Sequence, residues 1–306
     1  MATSPSTVKQ PAYIYLLPVA AVLIWSVNVV ITRVAIDVIS PLSISFYRWF
    51  FALLILTPIL LPQVWRQRQT VRQYLPKLAV LGLFGMVIYQ GLAYVAAHST
   101  TATNMGIING LIPLVTIVVA SFLLKEKPSR FAIAGGLLSL LGLAVLIGQG
   151  NPANILSGDI HHGDGLMLLA VIGYACYGVL LRRWQIPLST WSSVYVQIFF
   201  GALFQLPLVM YAGFSPISLQ NGWIIFFSCV FPSILAPFLW MKAIAAMGPS
   251  RTSIFMNLLP VFTALIAIFY LGEIWRNYHT LGGLLALSGV ILAQVKPKKL
   301  ALKYGK

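Results

Sequence analysis

The sequence predicts an all-α membrane protein: ten transmembrane helices forming two inverted five-helix repeats around a central cavity. Three observations carry that prediction. Of 306 residues, 59% are hydrophobic and 8% charged, with a mean hydropathy of +0.90, too little charge to cover a soluble surface of that size. Apolar stretches of about 20 residues recur along the chain, each enough to cross a ~30 Å hydrocarbon core as a helix. Finally, Pro113, Glu126, Gly135, Gly136 and Gly142 recur as Pro260, Glu273, Gly282, Gly283 and Gly289, every one displaced by 147 residues. Lipid supplies no hydrogen-bond partners, so spans must be helices or closed barrels. Continuous apolar runs without strict alternation exclude the barrel.

Spans 1 to 10 are expected near 13–32, 42–62, 76–97, 101–124, 129–148, 165–183, 191–212, 220–246, 249–272 and 277–295. Span 1 follows a short polar segment, Met1–Pro11, and is full length, so it reads as an uncleaved first helix rather than a secretory signal. A basic stretch, Arg66–Lys77, runs from beyond span 2 into the start of span 3, and Lys125–Arg130 runs from beyond span 4 into the start of span 5. Spans 5 and 6 are joined by the longest connection, Gln149–Asp164, rich in Gly, Pro and Asn. Residues 1–148 are thus the first repeat, 149–164 the join, and 165–306 the second repeat with a basic tail.

Charge tests this layout. With the N-terminus in the cytoplasm, 17 of the 20 Lys and Arg residues fall on the cytoplasmic side, Lys296–Lys306 included. Only Arg33 and Arg276 lie opposite, and Arg48 lies within span 2. That bias follows the positive-inside rule. The net charge of +15 is therefore an orientation signal, and no exposed basic stretch is interleaved with aromatics as a nucleic-acid surface would require. The opening of each half also repeats: Arg33, Ser43, Phe50, Phe51 and Pro58 match Arg182, Ser192, Phe199, Phe200 and Pro207 at an offset of 149. Five spans per half force the second half to enter the membrane upside down. Inverted repeats of this kind place a solute site near the midplane between them.

Two copies of the pattern P-x12-E-x8-GG-x5-G close the halves, as IPLVTIVVASFLLKEKPSRFAIAGGLLSLLG and LPVFTALIAIFYLGEIWRNYHTLGGLLALSG. Together with the opening WSVNVVITR, they resemble the EamA-type branch of the drug/metabolite transporter superfamily, over about residues 13–295. Within it the likeness is to the bacterial aromatic and neutral amino-acid exporters. The resemblance implies a ten-helix carrier in the bacterial inner membrane with a cavity lined by spans 1, 3, 4, 6, 8 and 9. It implies a small-molecule substrate that is exported, and the inverted repeat with its matched prolines points to alternating access; no cofactor and no enzymatic activity are expected. The alternative is a proton-coupled multidrug or metabolite efflux carrier.

Candidate residues follow from their types and depths. Pro113 and Pro260 lie near the middles of spans 4 and 9, where a proline removes a backbone bond and frees the carbonyl four residues earlier. They read either as a matched pair of hinges or as static kinks. Asn28, Gln90, Asn104, Asn109 and Asn257 are amides in or near spans. Such groups hold helices together, or grip both ends of a zwitterion without burying net charge. Trp25, Tyr89, Tyr94, Tyr174, Tyr177 and Trp240 crowd the cavity spans, and Trp25/Tyr174 and Asn28/Tyr177 are repeat equivalents at offset 149. Aromatic walls suit an apolar side chain and attract an ammonium; the other reading is an interfacial belt.

Arg48 is either a functional intramembrane charge or a snorkelling side chain. Glu126 and Glu273 read as helix-end anchors, and the Gly-x6-Gly pairs as close packing in spans 5 and 10. The acids are Asp37, Glu126, Asp159, Asp164 and Glu273, none at a span centre, so coupling through a buried carboxylate is disfavoured. Cys176 and Cys229 lie in spans and suggest no disulfide. His161 and His162 with Asp159 and Asp164 read as an ordinary polar loop rather than a metal site. Neither HExxH nor G-x-S-x-G appears, and no filter-like repeat suggests a channel. The partners expected are a small solute and the bilayer, the protein acting as a monomer with both termini cytoplasmic.

Overall fold

The structure is a computed structural model and describes residues 12–35, 38–97, 99, 105, 108–125, 127–151, 153, 162–271 and 275–295. Among the described residues every regular element is a helix. Among the described residues, seven helices are long and apolar enough to cross a membrane: Tyr13–Ile31, Pro41–Arg66, Arg68–Ala93, Arg130–Ile147, His162–Trp184, Thr190–Ala212 and Leu219–Met247. Ile112–Leu123 and Asn277–Ala293 are shorter apolar helices in the positions of spans 4 and 10. Span 9 is built of three segments, Pro249–Ser253, a 3-10 turn Ile254–Leu258, and Leu259–Leu271.

The boundaries have local causes. Ser40 begins span 2 by accepting a hydrogen bond from Ser43 N, and Ser189 begins span 7 through Ser192 N, so the same cap recurs at the repeat offset. Gly213 (φ 87°) and Gly248 (φ 83°) end spans 7 and 8 in a left-handed conformation that glycine adopts without penalty. The expected basic loop between spans 2 and 3 is instead helical on both sides of a single turn residue, Gln67. Arginine and glutamine are strong helix formers, which explains the extension.

Among the described residues, spans 3, 4, 8 and 9 are irregular within their length, in two matched pairs. Spans 3 and 8 each widen into a π-turn, at Leu83–Ile88 and Phe231–Leu235, which begin 148 residues apart. Spans 4 and 9 each tighten just before their proline. In span 4 the Leu111 N–H reaches the Ile108 carbonyl at 3.0 Å, and in span 9 the 3-10 turn Ile254–Leu258 holds the equivalent place. Pro113 and Pro260 therefore stand in the first turn of the helix that follows rather than bending a continuous one. In span 4 a proline at this first-turn position costs little, since that N–H has no partner within its own helix.

The halves interpenetrate. Span 1 packs on spans 8 and 9, and span 6 packs on spans 3 and 4, so each half's first helix crosses into the other half. Spans 2 and 7 lie antiparallel: Tyr47 Oη donates to the Ser215 carbonyl at one end, while Gln63 Nε2 reaches Ser189 Oγ at the other. Both main buried clusters, one around Trp49, Met86 and Ile198 and one around Val22, Trp240 and Phe255, draw on both halves.

Spans 5 and 10 make the closest contact. A Cβ on Gly142 would stand 2.6 Å from the Gly282 carbonyl oxygen, and one on Gly289 would stand 2.5 Å from that of Gly135. Gly135 and Gly282 are repeat equivalents, as are Gly142 and Gly289. Each glycine thus meets the counterpart of its neighbour, the self-complementary pattern of a two-fold axis across antiparallel helices. The Gly-x6-Gly pairs are packing surfaces that allow backbones to touch.

Candidate functional site

The aromatic side chains of spans 1, 3, 6 and 8 converge. Trp25 meets Trp240 edge-on with ring centroids 5.3 Å apart, Trp240 lies 6.4 Å from Tyr174, and Tyr174 lies 5.2 Å from Tyr89 and 6.1 Å from Tyr177. Five expected residues therefore form one continuous wall drawn from both halves. Each such ring pair adds about 0.5–1.5 kcal/mol beyond area burial. Gly85 makes room for it, since a Cβ there would stand 2.7 Å from the Tyr177 ring.

Polar groups edge this wall. Tyr89 Oη donates to Asn109 Oδ1 at 2.8 Å, tying span 3 to the turn before Pro113. Asn28, one turn from Trp25, accepts from Ser228 Oγ at 3.4 Å. Ser26 Oγ reaches the Leu259 carbonyl, next to Pro260, at 3.1 Å. Trp25 Nε1 donates to the Pro232 carbonyl at 3.2 Å.

Other expected residues lie elsewhere. Asn257 is 1% exposed and its Nδ2 bonds Ser139 Oγ at 2.7 Å, an interhelical bond toward span 5 and not toward the rings. Gln90 accepts from Ser45 Oγ at 3.3 Å, facing span 2. Tyr94 is on a described helix, but its side chain, with Asn104, Glu126 and Glu273, lies outside the described residues. His161 and Asp159 lie outside them too, and no metal-ligand cluster occurs among the described residues. Cys176 and Cys229 are free thiols.

Of the two readings of Arg48, the structure excludes the snorkelling one. It is 5% exposed and points into the bundle, with Nε on Ser233 Oγ at 2.6 Å and Nη2 on the Pro232 carbonyl at 3.2 Å. Its guanidinium carbon lies 5.0 Å from the centre of the Trp49 ring. Residues that sequence reasoning missed complete the network: Ser228, Ser233, Ser45 and Gln205. Ser233 Oγ donates to the Ser228 carbonyl at 2.6 Å, and Ser45 Oγ lies 2.8 Å from Gln205 Oε1. The available sign was a run of small hydroxyls and amides inside apolar helices.

Two cavities open at the basic end of the molecule. One, of about 220 Å³, lies between the ends of spans 4 and 8 and is lined by Lys127, Ser129, Met247 and Arg251. The other, of about 270 Å³, lies among spans 6, 7 and 8 and is lined by Arg182, Ser193 and Met241.

Comparison with known proteins gives a consistent picture. The EamA-like transporter family matches twice, over residues 12–148 and 161–294. The uncharacterized transporter YyaM of Bacillus subtilis is 29% identical over 271 residues, covering 86% of this chain and 87% of that protein. An uncharacterized transporter of Archaeoglobus fulgidus is 25% identical over 92% of this chain and 97% of its own. A probable terminal-alkyne amino-acid exporter of Streptantibioticus cattleyicolor is 23% identical over 71% of this chain and 72% of its own. One crystal structure shares the fold with a TM-score of 0.75 at 18% identity, covering 93% of this chain and 97% of that chain.

Proposed function

The chain belongs to the EamA-like transporter family, an integral membrane transporter, and from that premise we propose that it exports amino acids or similar small metabolites by alternating access. The observation that carries this reading is the aromatic wall of Trp25, Trp240, Tyr174, Tyr89 and Tyr177, built from helices of both repeats. Its rings accommodate an apolar or aromatic side chain and attract an ammonium group. The edging amides Asn28 and Asn109 offer neutral donors and acceptors to the two ends of a zwitterion.

In this reading residues 1–148 and 165–306 are the two repeats and 149–164 their join. The protein sits in a bacterial plasma membrane with both termini cytoplasmic, as the distribution of Lys and Arg supports. The tightened turns before Pro113 and Pro260 act as the hinges. Without a carboxylate at a span centre, movement is driven by the solute's own gradient. Resemblance to a probable amino-acid exporter supports the substrate class.

Purified protein in proteoliposomes, challenged with a panel of radiolabelled amino acids with and without a pH gradient, tests the reading. At least one neutral amino acid should cross faster than in empty vesicles. If none does, the proposed substrate class is wrong.

A further inference from the structure

The two π-turns are held by side chains of the opposite repeat. In a π-turn the carbonyl of residue i bonds the N–H of residue i+5, and in span 8 the Ala236 N–H does reach the Phe231 carbonyl. The next N–H in that series belongs to position 237, which is proline and has none. The Pro232 carbonyl therefore loses its helical partner in a medium that offers no water. Arg48 Nη2 from span 2 takes it at 3.2 Å, shared with Trp25 Nε1 at 3.2 Å, and Arg48 Nε fixes the neighbouring Ser233 Oγ at 2.6 Å.

Span 3 is likewise held from the opposite repeat. Gln205 Nε2 from span 7 donates to the Met86 carbonyl within the π-turn at 3.0 Å. Gly201, one turn earlier on span 7, permits the approach, since a Cβ there would stand 2.8 Å from Met86 Cβ. Span 2 also reaches the second holder. Ser45 lies three residues before Arg48 on span 2, and its Oγ is 2.8 Å from Gln205 Oε1.

We propose that Arg48 and Gln205 are positioning residues for transport, each fixing the bend of the opposite repeat's π-turn, and that Ser45 couples the two bends. Span 8 carries Trp240 and span 3 carries Tyr89, so the bends set the spacing of the aromatic wall. Neither holder touches the solute. Loss of one should loosen its own π-turn and, through Ser45, the other.

Backbone amide hydrogen exchange of the full-length protein in nanodiscs tests this without any substrate. Gln205→Leu should speed exchange in residues 86–93 about tenfold, with a smaller acceleration in 233–241, while spans 5 and 10 stay unchanged. Arg48→Lys, which keeps a donor for the Pro232 carbonyl, should stay near wild type, and Arg48→Leu should not. A second arm uses radiolabelled L-phenylalanine in proteoliposomes and rests on the transport reading. There Gln205→Leu should lower the maximal rate about tenfold and leave KM within about threefold. If phenylalanine does not cross, the substrate reading fails and the exchange arm still decides this proposal. Unchanged exchange in both π-turns of Gln205→Leu and Arg48→Leu, or acceleration spread evenly over all spans, overturns it. Should Arg48→Leu not fold, Gln205→Leu and the conservative Arg48→Lys carry the same decision.

Discussion

Gly289 of span 10 lies so close to Gly135 of span 5 that a Cβ on it would stand 2.5 Å from the Gly135 carbonyl oxygen. The two helices run antiparallel and each glycine meets its neighbour's counterpart, so the sequence duplication reappears as a two-fold contact. Irregularities follow the same symmetry, with π-turns in spans 3 and 8 and tightened turns before the prolines of spans 4 and 9.

The glycine contact predicts a graded mutational response. Gly135→Leu or Gly289→Leu should lower thermal stability in detergent by more than about 2 kcal/mol, because the added atoms meet backbone that cannot yield. Gly136→Ala and Gly283→Ala should be near neutral. The nearest atoms to their added Cβ would be Leu114 Cδ2 at 3.1 Å and Val261 Cγ1 at 3.5 Å, the ends of side chains. A thermal-shift series over the four variants checks this ordering.

The aromatic wall predicts a loss of apparent affinity. Trp25→Ala and Trp240→Ala should each raise the half-saturating solute concentration about tenfold, while Phe122→Ala and Tyr211→Ala should leave it unchanged. Phe122 is 78% exposed and Tyr211 96%, on the outer surface of the bundle. Concentration-dependent uptake for the four variants, normalised to protein in the vesicles, separates the two classes.

Asn257 should behave as scaffold. Its bond to Ser139 spans the interface of spans 9 and 5. Asn257→Ala should therefore cost about 1 kcal/mol of stability with KM unchanged. A shift in KM without a stability loss would return it to the solute path.

How much of this was legible in the sequence varies by residue, for physical reasons. The glycine pairs were readable as packing because only glycine lets helix backbones touch, and their spacing repeats. Trp25 and Tyr174 were readable because a repeat equivalence picks them out from aromatics that face lipid. Pro113 and Pro260 marked a break, but a proline can bend a helix or begin one, and only the preceding 3-10 turn decides between them. Asn257 has the residue type of a solute ligand, yet that same turn rotates it toward span 5. The π-turns left almost no trace. An extra residue per turn has no compositional mark, and the roles of Arg48 and Gln205 depend on which opposite-repeat carbonyl each meets. Ser45, Ser228 and Ser233 are small hydroxyls whose bonds to Gln205, Asn28 and Arg48 exist only after the halves interlock.

The acids predict the energetics. In the sequence, Asp37, Glu126, Asp159, Asp164 and Glu273 fall between or at the ends of the expected spans, and the proposed reading therefore routes no proton through a midplane carboxylate. Downhill flux in proteoliposomes should change less than about twofold when a pH gradient is imposed or collapsed. Strict dependence on the gradient would contradict this.

Counterflow tests the central claim most directly, because only a carrier with one alternately exposed site drives a labelled solute uphill against its unlabelled form. Vesicles preloaded with an unlabelled neutral amino acid and diluted into a trace of the labelled one should accumulate label transiently above equilibrium, and Tyr174→Ala should shift the half-saturating concentration upward. No overshoot for any amino acid, or an overshoot that Tyr174→Ala leaves unchanged, would contradict a solute site at the aromatic wall between the two repeats.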